Sequence, residues 1–180
     1  MLGNDDYPEL ATLLNGEFVR NVDESVVELP GGFEMLSLGY SNPTPWKSFR
    51  ELSEEEIAGR IRTMADQVHN LDRAVFNIHC PPHGTHLDQA ALLDLEFRPL
   101  LQHGQVAIGH VGSTAVKDAI GDYQPMLALH GHIHESTGVQ QLRDTLAINP
   151  GSDYADGILR GALISLDLKK GIRSWQLVQG

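Results

Sequence analysis

Three histidines alternate in the stretch Leu127-Ala128-Leu129-His130-Gly131-His132-Ile133-His134-Glu135, directly after an apolar run. Alternate residues of an extended strand face the same way. A strand carried to its end therefore predicts that His132 and His134 point two imidazoles into one small volume. Neutral imidazole suits zinc, iron, manganese and similar ions, although a chain with nine histidines also places some of them on a surface loop without chemistry. Gly131 lets backbone or a ligand approach closely. A second concentration is His79-Cys80-Pro81-Pro82-His83-Gly84-Thr85-His86. A histidine at the end of a buried strand, followed by a stiff loop, stands where α/β proteins place site residues. His79 is the candidate ligand there. His83 faces either substrate or solvent, and Cys80 reads as a small buried hydrophobe.

Two turns complete the set of candidates. Gly3-Asn4-Asp5-Asp6 is a polar turn of the kind that Asn and Asp favour. In a functional reading Asn4 gives its amide oxygen to a metal, and Asp5 and Asp6 serve as ligands or acid/base groups. Gly112-Ser113-Thr114 opens a helix, where Ser113 or Thr114 caps the first turn, or Ser113 helps receive a phosphate at free backbone N–H groups.

The elements that must hold these residues alternate between strand and helix. Tyr7 to Leu14 reads as a short helix. Phe18–Arg20, Val26–Leu29 and Phe33–Tyr40 read as strands, and Ser41–Trp46 as a loop with two prolines. Ser53-Glu54-Glu55-Glu56 is a capping box that starts a helix running to about His69; its glutamates are structural, and His69 complements the helix dipole. Asp72–His79 is the next strand. Leu87–Gln102 reads as partly helical, Gln105–His110 as a strand, and Gly112–Ile120 as a helix that Gly121 ends. The end of the chain is strand-rich: Val139–Leu142, Thr145–Ile148 running into the turn Asn149-Pro150-Gly151-Ser152, and a closing hairpin of Gly161–Leu168 with Ile172–Val178. This mixture predicts α/β layers.

A chain of 180 residues is long enough for one domain with a real core. Its net charge of −11 argues against non-specific nucleic-acid binding, which needs a surplus of Lys and Arg. One cysteine excludes an intrachain disulfide and fits a reducing cytoplasm. No long apolar span suggests a membrane segment.

Four stretches, in this order, resemble the calcineurin-like metallophosphoesterases: Gly3-Asn4-Asp5-Asp6, His79 at a strand end, Gly131-His132-Ile133-His134, and Asn149-Pro150-Gly151-Ser152. That family has Gly-Asn-His-Asp/Glu, an isolated His, Gly-His-x-His and, in many members, Asn-Pro-Gly-Ser. The resemblance implies an α/β fold, a layered β-sandwich flanked by helices, with residues 1–180 as one domain that forms the C-terminal portion of the family's. It implies that Asn4, His79 and His132 hold one divalent ion and His134 a second, with manganese, iron and zinc all suited. The ions would present a hydroxide to the phosphorus of a small phosphomono- or phosphodiester. Asp5 stands where the family has a histidine thought to protonate the leaving group, and is the catalytic candidate; His83 and Ser113 are the candidate substrate contacts. His130 and Glu135 are candidate partners of the ligands by proximity.

The family's Asp-x-His and Gly-Asp-x-x motifs, which lie before its Gly-Asn-His, are absent before Gly3. The sheet is therefore expected to lack its first β-α-β segment, leaving Phe76, Ile78 and Leu127–Leu129 in strands without neighbours and inviting self-association at an open edge. Absence of those ligands argues against activity of this polypeptide alone. Retention of Asn4, His79, His132 and His134 together argues against long decay. Two other readings stay open: a non-catalytic scaffold of the same fold that binds a protein partner, and a zinc-binding protein in which His79, Cys80, His132 and His134 converge on one ion.

Overall fold

A computed structural model describes residues 1–180. After a mostly exposed 3₁₀ segment at Pro8–Leu14 come β1 (Ser25–Leu29), β2 (Phe33–Leu38), α1 (Glu54–Ala65) and β3 (Ala74–Ile78). Four short strands follow: β4 (Gln89–Ala91), β5 (Leu101–Gln102), β6 (Gln105–Val106) and β7 (Ile108–His110). The chain then forms α2 (Thr114–Tyr123), β8 (Leu127–Leu129), β9 (Gly138–Leu142), β10 (Thr145–Asn149), β11 (Arg160–Asp167) and β12 (Gly171–Gln179).

The central sheet has six strands in the order β1-β2-β3-β8-β10-β9. The inner pairs β2–β3, β3–β8 and β8–β10 are parallel, and the outer strands β1 and β9 are antiparallel to their neighbours. The inner strands are apolar on both faces, as a covered parallel sheet requires. Leu36, Leu38, Phe76, Ile78, Ala128 and Ala147 pack with Ile57, Ile61 and Met64 of α1 and Val116 and Ile120 of α2. Val75, Leu127 and Ile148 face the other way, onto Ala162, Ile164, Ile172 and Leu177 of the β11–β12 hairpin. The molecule is thus an α/β fold with a mixed sheet, helices on one face and a two-stranded hairpin on the other. The second layer is a hairpin and not a full sheet, and the helices flank one side only.

Several expectations are corrected. Phe76, Ile78 and Leu127–Leu129 do not lack neighbours: β3 and β8 are central, each paired on both sides. The open edges belong to β1 and β9. Phe18 and Val19 form no strand and lie exposed. Residues 87–102 contain no helix, only short strands tied by Gln89 opposite His110 and Leu101 opposite Val106. The capping box at Ser53 forms in full, but α1 ends at Ala65. His69 lies beyond it, with Nδ1 2.8 Å from Glu34 Oε1, so a carboxylate and not the helix dipole is its partner. Gly121 lies within α2, whose end is set by Gln124 in the left-handed conformation. No helix is long and apolar enough to cross a membrane.

Candidate metal centre

Every candidate ligand lies at the C-terminal end of a parallel strand or in a turn against one, the usual place for a site in an α/β sheet. Its first component is the N-terminal turn. Leu2 and Asn4 are buried against the ends of β2 and β3. The turn closes through the Gly3 N–H, which donates to Asp6 Oδ2 at 2.7 Å. Arg50 N–H donates to the Asn4 carbonyl at 3.0 Å, and the Arg50 guanidinium is itself paired with buried Asp23. Asn4 Nδ2 donates to Ser48 Oγ at 2.9 Å and to Asp5 Oδ1 at 3.1 Å. These contacts leave one atom of the side chain, Oδ1, facing inward.

That oxygen meets two imidazoles. His79 Nε2 lies 2.9 Å from Asn4 Oδ1, and His132 Nδ1 lies 3.0 Å from it. The two rings stand edge to face with centroids 5.2 Å apart. Burial lowers His79 to about 3, with the charges of His132 and His134 adding to the effect. Burial likewise lowers His132 to about 4, against the opposing pull of Asp5. Both rings are therefore neutral at pH 7, the form that ligates a metal. Ligands at right angles around an ion about 2.1 Å from each would lie about 3 Å apart. The separations of Asn4 Oδ1 from the two ring nitrogens, 2.9 and 3.0 Å, are compatible with such an arrangement and are equally those of N–H···O hydrogen bonds. In the chain by itself the same contacts are hydrogen bonds in which the two rings donate to the amide oxygen.

His132 does not continue a strand. It has φ +65°, and the Ile133 N–H bonds back to the Gly131 carbonyl at 2.7 Å, closing a three-residue turn around it. A non-glycine residue held at positive φ costs on the order of 1–3 kcal/mol and persists where its surroundings over-determine it. Those surroundings include the Asn149 turn. Asn149 is buried; its Nδ2 donates to the Ile133 carbonyl at 2.9 Å and the Leu87 carbonyl at 3.2 Å, while its Oδ1 accepts from Gly151 N–H. Ser152 N–H donates to the His134 carbonyl at 3.1 Å. Gly151 has φ +70°, and a Cβ there would lie 2.7 Å from that carbonyl. The Asn-Pro-Gly-Ser turn is thus the brace of the His-x-His segment.

His134 does not join the Asn4 cluster. Its ring packs edge-on to Tyr154, centroids 5.4 Å apart, and opens into a cavity of about 810 Å³ that Asn4, Asp5, His132 and Glu135 also line. Among His, Cys, Asp and Glu alone no three converge; the cluster consists of two histidines and an asparagine. Cys80 is fully buried, its thiol pushed up to about 12 by burial, and it joins no convergent group of His, Cys, Asp and Glu side chains. His130 is no partner of the ligands. Its Nδ1 reaches the Ile78 carbonyl at 2.9 Å, tying the end of β8 to that of β3.

Asp5 lines the cavity, and its Oδ1 accepts from Asn4 Nδ2 and from the Ser48 hydroxyl. Ser113 is wholly buried: its hydroxyl donates to Glu54 Oε2 at 2.6 Å, and the same carboxylate takes the Ala115 N–H at 2.8 Å. The start of α2 is therefore filled by a glutamate of α1 and offers no phosphate seat. His83 lies outside the main cavity, on a separate one of about 460 Å³ lined also by Thr85, Lys117 and Arg143. Sequence reasoning missed Asp88 and His110. His110 stands in the main cavity with Nδ1 2.8 Å from Asp88 Oδ1. The ending of a short strand in a histidine is the only local signal, and its carboxylate lies 22 residues away.

No family model matches the sequence. An uncharacterized protein of Methanocaldococcus jannaschii, MJ1162, is 30% identical over 150 residues, which make up 82% of this chain and 61% of that protein. The chain thus spans less than two thirds of that relative. One crystal structure superposes on 89% of this chain and 54% of its own, with TM-score 0.59 and 21% identity. The crystal structure of TT1561 of Thermus thermophilus superposes on 90% of this chain and 59% of its own, with TM-score 0.52 and 17% identity. At these identities the two structures share the fold alone.

Proposed function

We propose that this chain is a calcineurin-like metallophosphoesterase domain in which Asn4, His79 and His132 hold one divalent ion and His134 holds a second, for hydrolysis of a small phosphomono- or phosphodiester. The convergence of Asn4 Oδ1, His79 Nε2 and His132 Nδ1 carries this reading. Two imidazole nitrogens from distant parts of the chain converge on one amide oxygen, beside a cavity that could seat a small ester. Manganese, iron or zinc suits such a set. When bound, such ions lower the pKa of a water and offset charge on phosphoryl oxygens.

The chain's own residues divide the remaining work. Ser48 and Arg50 fix Asn4 so that only its oxygen faces the imidazoles. Asn149 holds the strained turn that aims His132. The cavity wall of Pro43, Pro45, Trp46, Leu92, Leu93 and Leu100 excludes water from one side and offers apolar surface to the alcohol part of an ester. No Lys or Arg lines the cavity, so the charge of a phosphoryl group has to be met by ions and histidines. In the wider family the other ligands come from an Asp-x-His and a Gly-Asp motif that lie before the counterpart of Gly3-Asn4.

The test is metal content per chain on protein purified without chelator, with hydrolysis of an activated phosphodiester assayed on the same sample with manganese. Bound metal that disappears in both Asn4→Ala and His132→Ala supports the centre, and turnover abolished with it supports the hydrolase. Metal without turnover favours the non-catalytic scaffold. Metal unaffected by both substitutions overturns the site.

A further inference from the structure

We propose that His110, held by buried Asp88, is the proton donor to the leaving alcohol, the part expected of Asp5. The proposal rests on the phosphoesterase reading above. At Asp5 the oriented oxygen, Oδ1, only accepts. Both of its hydrogen-bond partners, Asn4 Nδ2 and the Ser48 hydroxyl, supply protons to Oδ1, and neither takes one from it.

His110 has the opposite arrangement. Asp88 is fully buried and accepts Thr85 N–H at 2.9 Å on Oδ1, and Gly84 N–H and Gly112 N–H, each at 3.1 Å, on Oδ2. Four N–H donors counting His110, on two oxygens, fix the carboxylate as an acceptor with no freedom to turn. Its Oδ1 takes the His110 Nδ1–H at 2.8 Å. A Cβ at Gly112 would lie 2.8 Å from Asp88 Cβ, so the loop closes tightly around this carboxylate. The imidazole, 41% exposed, stands in the wall of the cavity that Asn4, His132 and His134 line.

With Nδ1 committed, Nε2 is the nitrogen left for a substrate. A carboxylate behind an imidazole sets the ring's orientation and stabilises the imidazolium that carries a proton on the far nitrogen. As a water-derived oxygen bonds to phosphorus, the P–O bond to the alcohol breaks and its electron pair stays on the alcohol oxygen. That oxygen takes the Nε2 proton. The ring is left neutral with Nδ1–H still on Asp88, and solvent returns a proton to Nε2. Glu135 and Tyr154 also line the cavity, but neither side chain is hydrogen-bonded to a buried group that would aim it.

Two phosphodiesters that differ only in the leaving group, 4-nitrophenol against phenol, separate proton donation from mere support. The manganese-loaded chain is compared with His110→Gln. The variant should slow the phenyl ester about 10²-fold or more and the 4-nitrophenyl ester under about threefold, because only the poorer leaving group needs the proton. A second readout needs no turnover. Inorganic phosphate added to the zinc-loaded chain should shift the His110 Nε2 signal in ¹⁵N NMR and leave Nδ1 protonated. Equal loss on both esters, no loss on either, or a His110 ring unmoved by phosphate in a chain that hydrolyses both esters overturns this proposal alone. No turnover of either ester by the unsubstituted chain overturns the phosphoesterase reading and this proposal with it.

Discussion

Buried imidazoles govern how the site responds to acid. His79 is lowered to about 3, and His130 and His132 to about 4, in each case chiefly by burial, from an ordinary value of 6.5. Above 6.5 the rings are neutral in folded and unfolded chains alike and add no pH dependence. Below it the unfolded chain takes up protons that the folded chain refuses. Stability therefore falls as pH falls, by up to about 1.4 kcal/mol per pH unit for each ring. The urea midpoint of the metal-free chain should drop steadily from pH 7 to pH 5; a level midpoint over that range refutes the assignment of these rings as neutral. Gly39 acts through space alone. A Cβ there would lie 2.0 Å from the Leu2 carbonyl and 2.8 Å from Arg50 Nη2. Gly39→Ala should push the N-terminal turn off the sheet, with a cost of about 1–3 kcal/mol as for other overpacked sites. On the proposed metal centre, zinc affinity should fall further than stability, because Asn4 rides on that turn; isothermal titration with zinc, read beside urea unfolding, measures both.

At the scale of elements, the helix starts were partly legible. Ser53 and Glu56 form the capping box that their spacing announces, since both partners sit within one turn. Ser113 does cap α2, accepting the Val116 N–H at 3.2 Å. What no local pattern shows is that Glu54 also reaches that helix start from α1, 59 residues away. Glu54→Ala should cost about 1–3 kcal/mol, the penalty for a buried hydroxyl left without its partner, whereas Glu55→Ala on the same first turn should cost little. Comparative urea unfolding distinguishes them. Residues 87–102 misled because apolar letters without a clear period do not separate helix from short strands. The pairing of Gln89 with His110 decided the outcome across the chain.

The whole molecule depends on a thin second layer. Val75, Leu127 and Ile148 are covered by the β11–β12 hairpin, whose outer face exposes Leu163. Ile148→Ala should cost about 2–5 kcal/mol, as for other large core truncations. Removal of residues 160–180 should uncover this face and produce dye-binding, association-prone protein by light scattering; a monodisperse truncated chain would mean that the hairpin is dispensable. Self-association through strands β3 and β8 is not expected, since both are paired on each side.

The sequence by itself determined which residues bring polar donor atoms to strand ends and which local devices shape them: the Asn-Asp turn, the histidine at the end of a buried strand, the His-x-His segment and the Asn-Pro-Gly-Ser turn. Those features depend on neighbours a few residues apart. Tertiary structure decided which of them meet. Asn4 reaches His79 across 75 residues and His132 across 128. It also decided that Ser113 is spent on Glu54, that His83 opens elsewhere and that Asp88 backs His110. Sheet order and loop closure bring these groups together, and both follow from burying two apolar faces at once, a constraint that no short stretch of sequence contains.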